Sequence, residues 1–324
     1  MKIRRFVRGK DEADMVKLHN AVFYRHPTVV LVTVEDYKKY EKEPSWDSEG
    51  TFIVEVDNNP IGWVHGYVDK FREDKQGVAI VRIIPEFSNK GLEDELAEIA
   101  IGELKRRGMK VAQSLVEGVA QEKMLESEDA RLWEKRGFRL ERIGSIMSKR
   151  LDDARVDIGE NKEVTLEPLR KDSDEDLKLL NRLINESFKE HWNWRPVPLE
   201  STVYSVRKDF SWNPQGWFFA LLDGQPVGFI GALMGVPDNR PENAKRGWVL
   251  PRGWIWSIGV LKPYRGTGIG TRLLLHGMDF LKAKGVAEVM IQVDDSNVTK
   301  PKQLYEKVGF TEFWKQSIYE KRIA

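Results

Sequence analysis

Ile255-Trp256-Ser257-Ile258-Gly259-Val260-Leu261-Lys262-Pro263-Tyr264-Arg265-Gly266-Thr267-Gly268-Ile269-Gly270-Thr271-Arg272-Leu273-Leu274 reads as an apolar strand, a glycine-rich turn and the first turn of a helix. Gly266, Gly268 and Gly270 stand at alternate positions, so no Cβ keeps a ligand away from the backbone. The helix that opens here begins with N–H groups lacking an internal acceptor, a place where an anion is welcome. Arg265 adds a cation at the mouth. A loop of this kind holds phosphate. It is not a Walker loop, because Thr271-Arg272 stands where Lys-Ser or Lys-Thr is needed. A Rossmann fingerprint would need glycine at 271 and a long α/β domain, yet only 53 residues follow Thr271.

Downstream, Leu273, Leu274, Met278 and Leu281 are spaced for one buried helical face, with Lys282, Lys284 and Gly285 forming the stop. Residues 286–293 read as a buried strand, and Pro301 opens a further helix. Upstream, Phe218-Phe219-Ala220-Leu221-Leu222-Asp223-Gly224-Gln225-Pro226-Val227-Gly228-Phe229 reads as a hairpin around Asp-Gly. Phe52-Ile53-Val54-Glu55-Val56-Asp57-Asn58-Asn59-Pro60-Ile61-Gly62-Trp63 has the same pattern. Asp57 to Asp223 and Pro60 to Pro226 are both 166 positions. Gly91 with Gly268, and Gly108 with Gly285, are both 177 apart, and Leu132–Phe138 matches Leu304–Phe310. Two copies of one domain explain this order, with a boundary in the polar stretch 152–163. The expected domains are 1–155 and 156–324, each a twisted mixed α/β sheet flanked by helices.

Composition narrows the classes. The 324 residues carry 52 Lys and Arg against 51 Asp and Glu, a net charge of +1, so no basic field argues for nucleic acid or membrane. With 41% hydrophobic and 32% charged residues the chain is an ordinary globular protein. It has no cysteine, which excludes disulfides, thiolate nucleophiles and Cys-type metal sites. His19, His26, His65, His191 and His276 lack metal spacing, and no metal is expected. Neither a signal segment nor a long apolar run occurs, so a cytoplasmic location is expected.

The glycine stretch resembles the acetyl-CoA signature of the GCN5-related N-acetyltransferases (GNATs), Arg/Gln-x-x-Gly-x-Gly/Ala. Here Arg265 directly precedes Gly266-x-Gly268. Asn297, followed by Leu304-Tyr305-Glu306-Lys307-Val308-Gly309-Phe310, is similar to the second family signature, although Asn297 to Tyr305 is eight positions where seven is usual. Phe188-Lys189-Glu190-His191-Trp192 resembles the corresponding segment of mycothiol synthase-like tandem acetyltransferases. The resemblance spans both copies, but the diagnostic residues lie in the second.

That resemblance implies a concrete site. Acetyl-CoA would place its pyrophosphate on the amides of Gly266, Thr267, Gly268, Ile269, Gly270 and Thr271, beside Arg265 and with Asn297 nearby. Its pantetheine arm would pair like an added strand with Ile258, Gly259 and Val260, where the family splays two parallel strands, the second here being 289–294. Tyr305 stands at the position of the tyrosine that protonates the leaving thiolate. The strand Trp254–Ile258 has no carboxylate, so Asp294 and its neighbour Asp295 are the nearest candidates for a general base. Phe188, Trp192 and Trp194, with Phe210, Trp212 and Trp217, would line an acceptor site for a small-molecule or peptide amine, or form an aromatic core.

The first copy departs from this pattern. Ser88 replaces the arginine, Asn89 the first glycine and Glu93 the last, while Trp133 takes the tyrosine position. Glu93 and Asp94 would occupy the helix start themselves and repel an anion, so this copy is not expected to bind CoA. The expected function is N-acetyl transfer from acetyl-CoA to a primary amine by direct attack in a ternary complex. The alternative is a non-catalytic acyl-CoA sensor or assembly protein of the same fold.

Overall fold

The computed structural model describes residues 1–29, 31–151, 161–207, 215–235 and 252–324. Phe210, Trp212 and positions 152–160 of the expected boundary lie outside the described residues. The chain begins β1 (Lys2–Arg5), α1 (Glu12–Phe23), α2 (Val34–Tyr40), β2 (Thr51–Val56), β3 (Asn59–Tyr67), β4 (Gln76–Ile83). It continues α3 (Leu92–Arg106), β5 (Val111–Gly118), α4 (Gln121–Leu125), α5 (Glu128–Glu134), β6 (Arg139–Arg150). The order then starts again with β7 (Thr165–Pro168), α6 (Asp174–Phe188), α7 (Leu199–Arg207), β8 (Gln215–Leu222), β9 (Gln225–Met234), β10 (Arg252–Val260). After a 3-10 turn at Lys262–Tyr264 come α8 (Ile269–Ala283), β11 (Glu288–Asp294), α9 (Pro301–Val308) and β12 (Thr311–Arg322).

The repeat read from the sequence is therefore a repeat of structure. Asp57 and Asn58 have φ of 51° and 61°, and Asp223 and Gly224 have 51° and 74°, the left-handed pair that a two-residue hairpin turn demands. Even the bulges correspond: β2 slips against β3 between Val54 and Glu55, and β8 against β9 between Ala220 and Leu221.

Two compact units form, and they divide the chain differently from the repeat boundary. The first holds Met1–Ile143 together with Trp314–Ala324, the second Gly144–Phe313. The larger part of each repeat's last strand, Gly144–Arg150 of β6 and Trp314–Arg322 of β12, thus lies in the unit built mainly by the other repeat. In the first unit β12 runs antiparallel to β5, from Lys315↔Gly118 to Arg322↔Val111, completing the order β1-β2-β3-β4-β5-β12. In the second unit β6 runs antiparallel to β11, from Arg150↔Glu288 to Gly144↔Asp294, and the order is β6-β11-β10-β9-β8-β7.

Within the second unit, the face of α8 expected to be buried is buried: Leu273, Leu274, Met278 and Leu281 join Ile255, Val289, Ile291 and Tyr305 in one core. The helix approaches the sheet closely. A Cβ on Gly277 would come within 2.7 Å of Ile230 Cδ1, so a larger residue there would have to displace the end of that side chain. On the opposite side Leu177, Leu180 and Leu183 of α6 pack with Phe219 and Phe229. No described helix is long and apolar enough to cross a membrane.

Candidate active site

The site sits where two parallel strands of the second unit part. β10 pairs with β11 only from Arg252↔Glu288 to Ile255↔Ile291, whereas its other edge stays paired with β9 as far as Val260↔Gly228. A bulge between Ile255 and Ser257 lets β10 turn away, and its extra residue, Trp256, is 62% exposed. Beyond the bulge no strand among the described residues pairs with the β11-facing edge of Ser257–Val260. A cleft of about 550 Å³ fills the opening, lined by α6, β10, the glycine loop, β11 and α9. That volume suits a small-molecule ligand.

The glycine loop closes one end. Gly266 and Gly268 have φ of 78° and 85°, values that explain why glycine stands at both. Gly268 is the N-cap of α8 and offers no side-chain cap, and the first turn contains no acidic residue. Arg272 N–H reaches Gly268 O at 3.0 Å, so the N–H groups before it are the ones left for a ligand. Gly270 and Thr271 line the cleft beside them. The equivalent place in the first unit has the same backbone, with Gly91 at φ 84° capping α3, but Glu93, Asp94 and Glu95 fill its first turn. Glu93 accepts the N–H of Asn89 at 2.7 Å, and Asp94 is bridged to Arg136 at 2.7 Å and Lys135 at 3.2 Å. There the helix start has its anions already.

Arg265 is a brace. Its Nε donates to Val260 O at 3.0 Å, Nη2 to Ser187 O at 2.8 Å, and Nη1 to Glu190 at 3.1 Å. It ties the glycine loop to the end of α6 and to β10. Glu190 also takes Lys262 at 2.6 Å, and the Lys262 and Arg265 bonds hold its carboxyl below the usual range. Thr267 turns its hydroxyl back to Tyr264 O at 2.8 Å, and Ile269 is buried in the core, so neither side chain lines the cleft. Their backbone amides remain in the loop.

Asn297 is also a brace. Its Nδ2 meets His191 Nε2 at 2.8 Å, and its Oδ1 accepts from Thr299 N at 2.9 Å and Thr299 Oγ1 at 2.8 Å. With the amide donating, the imidazole carries its proton on Nδ1. Tyr305 is 5% exposed and lines the cleft, and its hydroxyl makes no hydrogen bond among the described residues. Burial pushes its pKa well above the ordinary phenol, so it stays protonated at neutral pH as a donor.

The two aspartates separate. Asp294 lines the cleft on the sheet face opposite Ile291 and Val293, with Oδ1 accepting from Ser296 N at 2.9 Å. Asp295 turns away to Ser145 at 2.7 Å and Lys302 at 3.5 Å. Of the aromatic residues expected at the acceptor side, Phe188 lines the cleft, Trp192 and Trp194 do not, and Trp217 is buried in the core with Phe219 and Phe229. His276 lies elsewhere, edge-on to Phe218 at 4.4 Å, with its pKa lowered by burial. Cleft residues that sequence reasoning passed over include Ser187, Trp256, Ser257 and Gln292. No signal in the sequence singles them out, since Trp256 shares its strand with Trp254 and continues an apolar pattern. Among the described residues no group of three or more His, Asp or Glu side chains could hold a metal ion.

Residues 179–310 match the family described as the acetyltransferase (GNAT) family. A mycothiol acetyltransferase of Frankia casuarinae is 34% identical over 108 residues, 33% of this chain and 30% of that protein. The chain spans about a third of the length of the curated relatives it matches. Among solved structures, a GCN5-related N-acetyltransferase from Sphaerobacter thermophilus aligns over 99% of this chain and 95% of its own, with TM-score 0.70 and 19% identity. A tandem GNAT protein from the clavulanic acid biosynthesis pathway aligns over 100% and 98%, with TM-score 0.73 and 12% identity.

Proposed function

We propose, on the footing that this chain is a tandem-fold member of the GNAT acetyltransferase family, that its second unit moves an acetyl group from acetyl-CoA to a primary amine by direct attack in a ternary complex. The observation that carries the reading is the parting of β10 and β11 between an uncapped helix N-terminus and the free hydroxyl of Tyr305. The residues fit the cosubstrate. An added Cβ at Gly270 would occupy the cradle while making only ordinary contacts, 3.6 Å to Leu304 and 4.0 Å to Val260.

Acetyl-CoA supplies the activated thioester. The loop amides from Gly266 to Thr271 hold its pyrophosphate, with the positive end of α8 behind them. Arg265 and Asn297 keep that loop and the β11–α9 turn in position through the bonds described above. The open edge of Ile258–Val260 binds the pantetheine arm, and the N–H of Val260 polarises the carbonyl. Tyr305 gives its proton to the departing sulfur as the carbon–sulfur bond breaks and the carbon–nitrogen bond forms. Asp294 receives the proton lost from the amine, directly or through water; Tyr305 is reprotonated from solvent.

The acceptor approaches on the face that carries Asp294, Trp256 and Phe188. Those two aromatic side chains favour an amine with apolar or ring surface. The relatives named mycothiol acetyltransferases support a small-molecule acceptor. The first unit, with Glu93 and Asp94 at its helix start, does not hold CoA, and the protein works in the cytoplasm. An acceptor screen reading thiol release, across small amines, amino-sugar conjugates and peptides, tests the activity. Release with one acceptor class supports the enzyme. Binding of acetyl-CoA with no release from any acceptor returns the protein to the sensor class.

A further inference from the structure

The side chains around the cleft fall into two sets. Glu190, His191, Arg265, Asn297 and Thr299 are engaged with one another or with the backbone. A second set is not. On β10, Trp256 is 62% exposed and makes no ring contact among the described residues, and the Ser257 hydroxyl beside it has no hydrogen bond there. On β11, the Gln292 amide is exposed and unbonded among the same residues. Asp294 has the N–H of Ser296 at 2.9 Å, and no cation is paired to it among the described residues.

Register brings this second set together. Ile255↔Ile291 is the last pair before the strands part, so Trp256 and Gln292 are the first residues on either side of the opening. Strand alternation puts Gln292 and Asp294 on one face of β11, opposite the buried Ile291 and Val293. Trp256 is the extra residue of the bulge and has no partner on β9.

Each free group selects for something. An indole with its surface in water is a platform for a flat ring, and a large apolar side chain exposed in a cleft is binding surface rather than core. An unpaired carboxylate attracts an ammonium ion, the form in which a primary amine arrives, and can take its proton. The Gln292 amide both donates and accepts, so it suits a neutral polar substituent. The cations decide the rest. Of those lining the cleft, Arg265 is spent on Glu190 and two carbonyls, and the cosubstrate's phosphates compete for Lys300. A carboxylate on the acceptor would find no counter-ion beside Asp294, and it would be repelled by Asp294 and by the bound cosubstrate.

We propose, resting on the acetyl transfer inferred above, that the acceptor is a primary amine joined by a short linker to a flat ring and carrying no acidic group, and that Trp256 selects it. The ring lies on the Trp256 indole, the ammonium meets Asp294, and Gln292 bonds to a polar atom of the ring. The ammonium passes one proton through Asp294 to solvent before it attacks. The nitrogen loses a second by the same route as the carbon–nitrogen bond forms and the carbon–sulfur bond breaks, and Tyr305 protonates the sulfur. Free amino acids are excluded by charge, not by size.

Thiol release from acetyl-CoA by the full chain reads this selection. The acceptors are tryptamine and phenethylamine; tryptophan, which adds a carboxylate; tryptophan amide, which keeps that bulk without the charge; and hexylamine, which has no ring. kcat/KM for tryptamine should exceed that for tryptophan about tenfold or more, and tryptophan amide should recover most of the difference. Trp256→Ala, at a largely exposed position and with its fold checked by unfolding temperature, should raise KM for tryptamine roughly five- to tenfold, keep kcat within about twofold, and change hexylamine little. Tryptophan used as well as its amide overturns the charge selection, and an equal loss with tryptamine and hexylamine in Trp256→Ala overturns the platform. Release with other amines but with neither ring amine overturns the acceptor class and leaves acetyl transfer standing. Acetyl-CoA bound with no release from any acceptor overturns both.

Discussion

Gly270→Glu transplants into the second unit the carboxylate that Glu93 supplies in the first. The backbone allows it, because a Cβ at Gly270 makes contacts no closer than 3.6 Å and its φ is not left-handed. The repulsion can be scaled by taking the separation between that carboxylate and a phosphate charge as roughly 5–6 Å. At an effective dielectric of ~20 that is about 3 kcal/mol of repulsion, and physiological salt reduces it to ~1.5–2 kcal/mol. Acetyl-CoA should therefore bind about 10–30-fold more weakly. The fold should respond in the opposite direction. A carboxylate in a first helical turn contributes about 0.3–1 kcal/mol, and replacing glycine recovers up to about 1 kcal/mol of helix propensity. Titration calorimetry at low and high salt, with Gly270→Ala as the steric control, separates the effects. The unmodified chain should show a single acetyl-CoA site. In Gly270→Glu the affinity loss should shrink as salt rises while the unfolding temperature holds or increases. If Gly270→Glu binds as Gly270→Ala does at both salt concentrations, the loop is not where pyrophosphate sits.

Tyr305→Phe should lower kcat by about 10²–10³ through loss of the proton donor, with acetyl-CoA affinity within twofold of normal; an unchanged kcat in steady-state kinetics removes Tyr305 from the mechanism. Alkaline pH should weaken the fold. Burial raises the pKa of Tyr37 and Tyr305, and burial with the Glu134 bond raises that of Tyr319 to about 12. A raised phenol stabilises the native state in full below the unfolded value of about 10, and that contribution disappears as pH climbs toward the folded value. Unfolding temperatures should fall above roughly pH 10, less steeply in Tyr305→Phe; a pH-independent transition through that range contradicts the assigned burial.

What could be read from the sequence was local. The two-residue hairpin turns and the left-handed Gly266 and Gly268 follow from residue types that tolerate positive φ, and the buried face of α8 follows from helical spacing. What could not be read depends on distant partners. Arg265 reads as a free cation for an anion, yet its guanidinium is spent on Ser187 and Glu190, 78 and 75 positions away. Asn297 likewise meets His191 across 106 positions. Asp294 and Asp295 are adjacent and chemically identical; only strand alternation and the position of Ser145 separate the one facing the cleft from the one facing away. The bulge that presents Trp256 leaves no mark in the apolar pattern of β10, because the pattern continues on both sides of it. Trp192 and Trp194 follow α6 closely in sequence, yet it is Phe188 and His191 of this segment that line the cleft, and the chain turns at Asn193, φ 59°, between the two tryptophans.

The exchanged final strands carry a consequence for how the protein is made. β5 cannot gain its antiparallel neighbour until Trp314–Ala324 has been synthesised, and contacts such as Gln113 with Glu320 close a loop of 207 positions. A ribosome therefore releases the first unit with a raw sheet edge for most of translation, a state prone to wrong pairing. β6, in turn, is made early and waits for β11. The two repeats are thus one folding unit in time, and cutting the chain near residue 155 would strip each half of the strand it needs rather than liberate a domain.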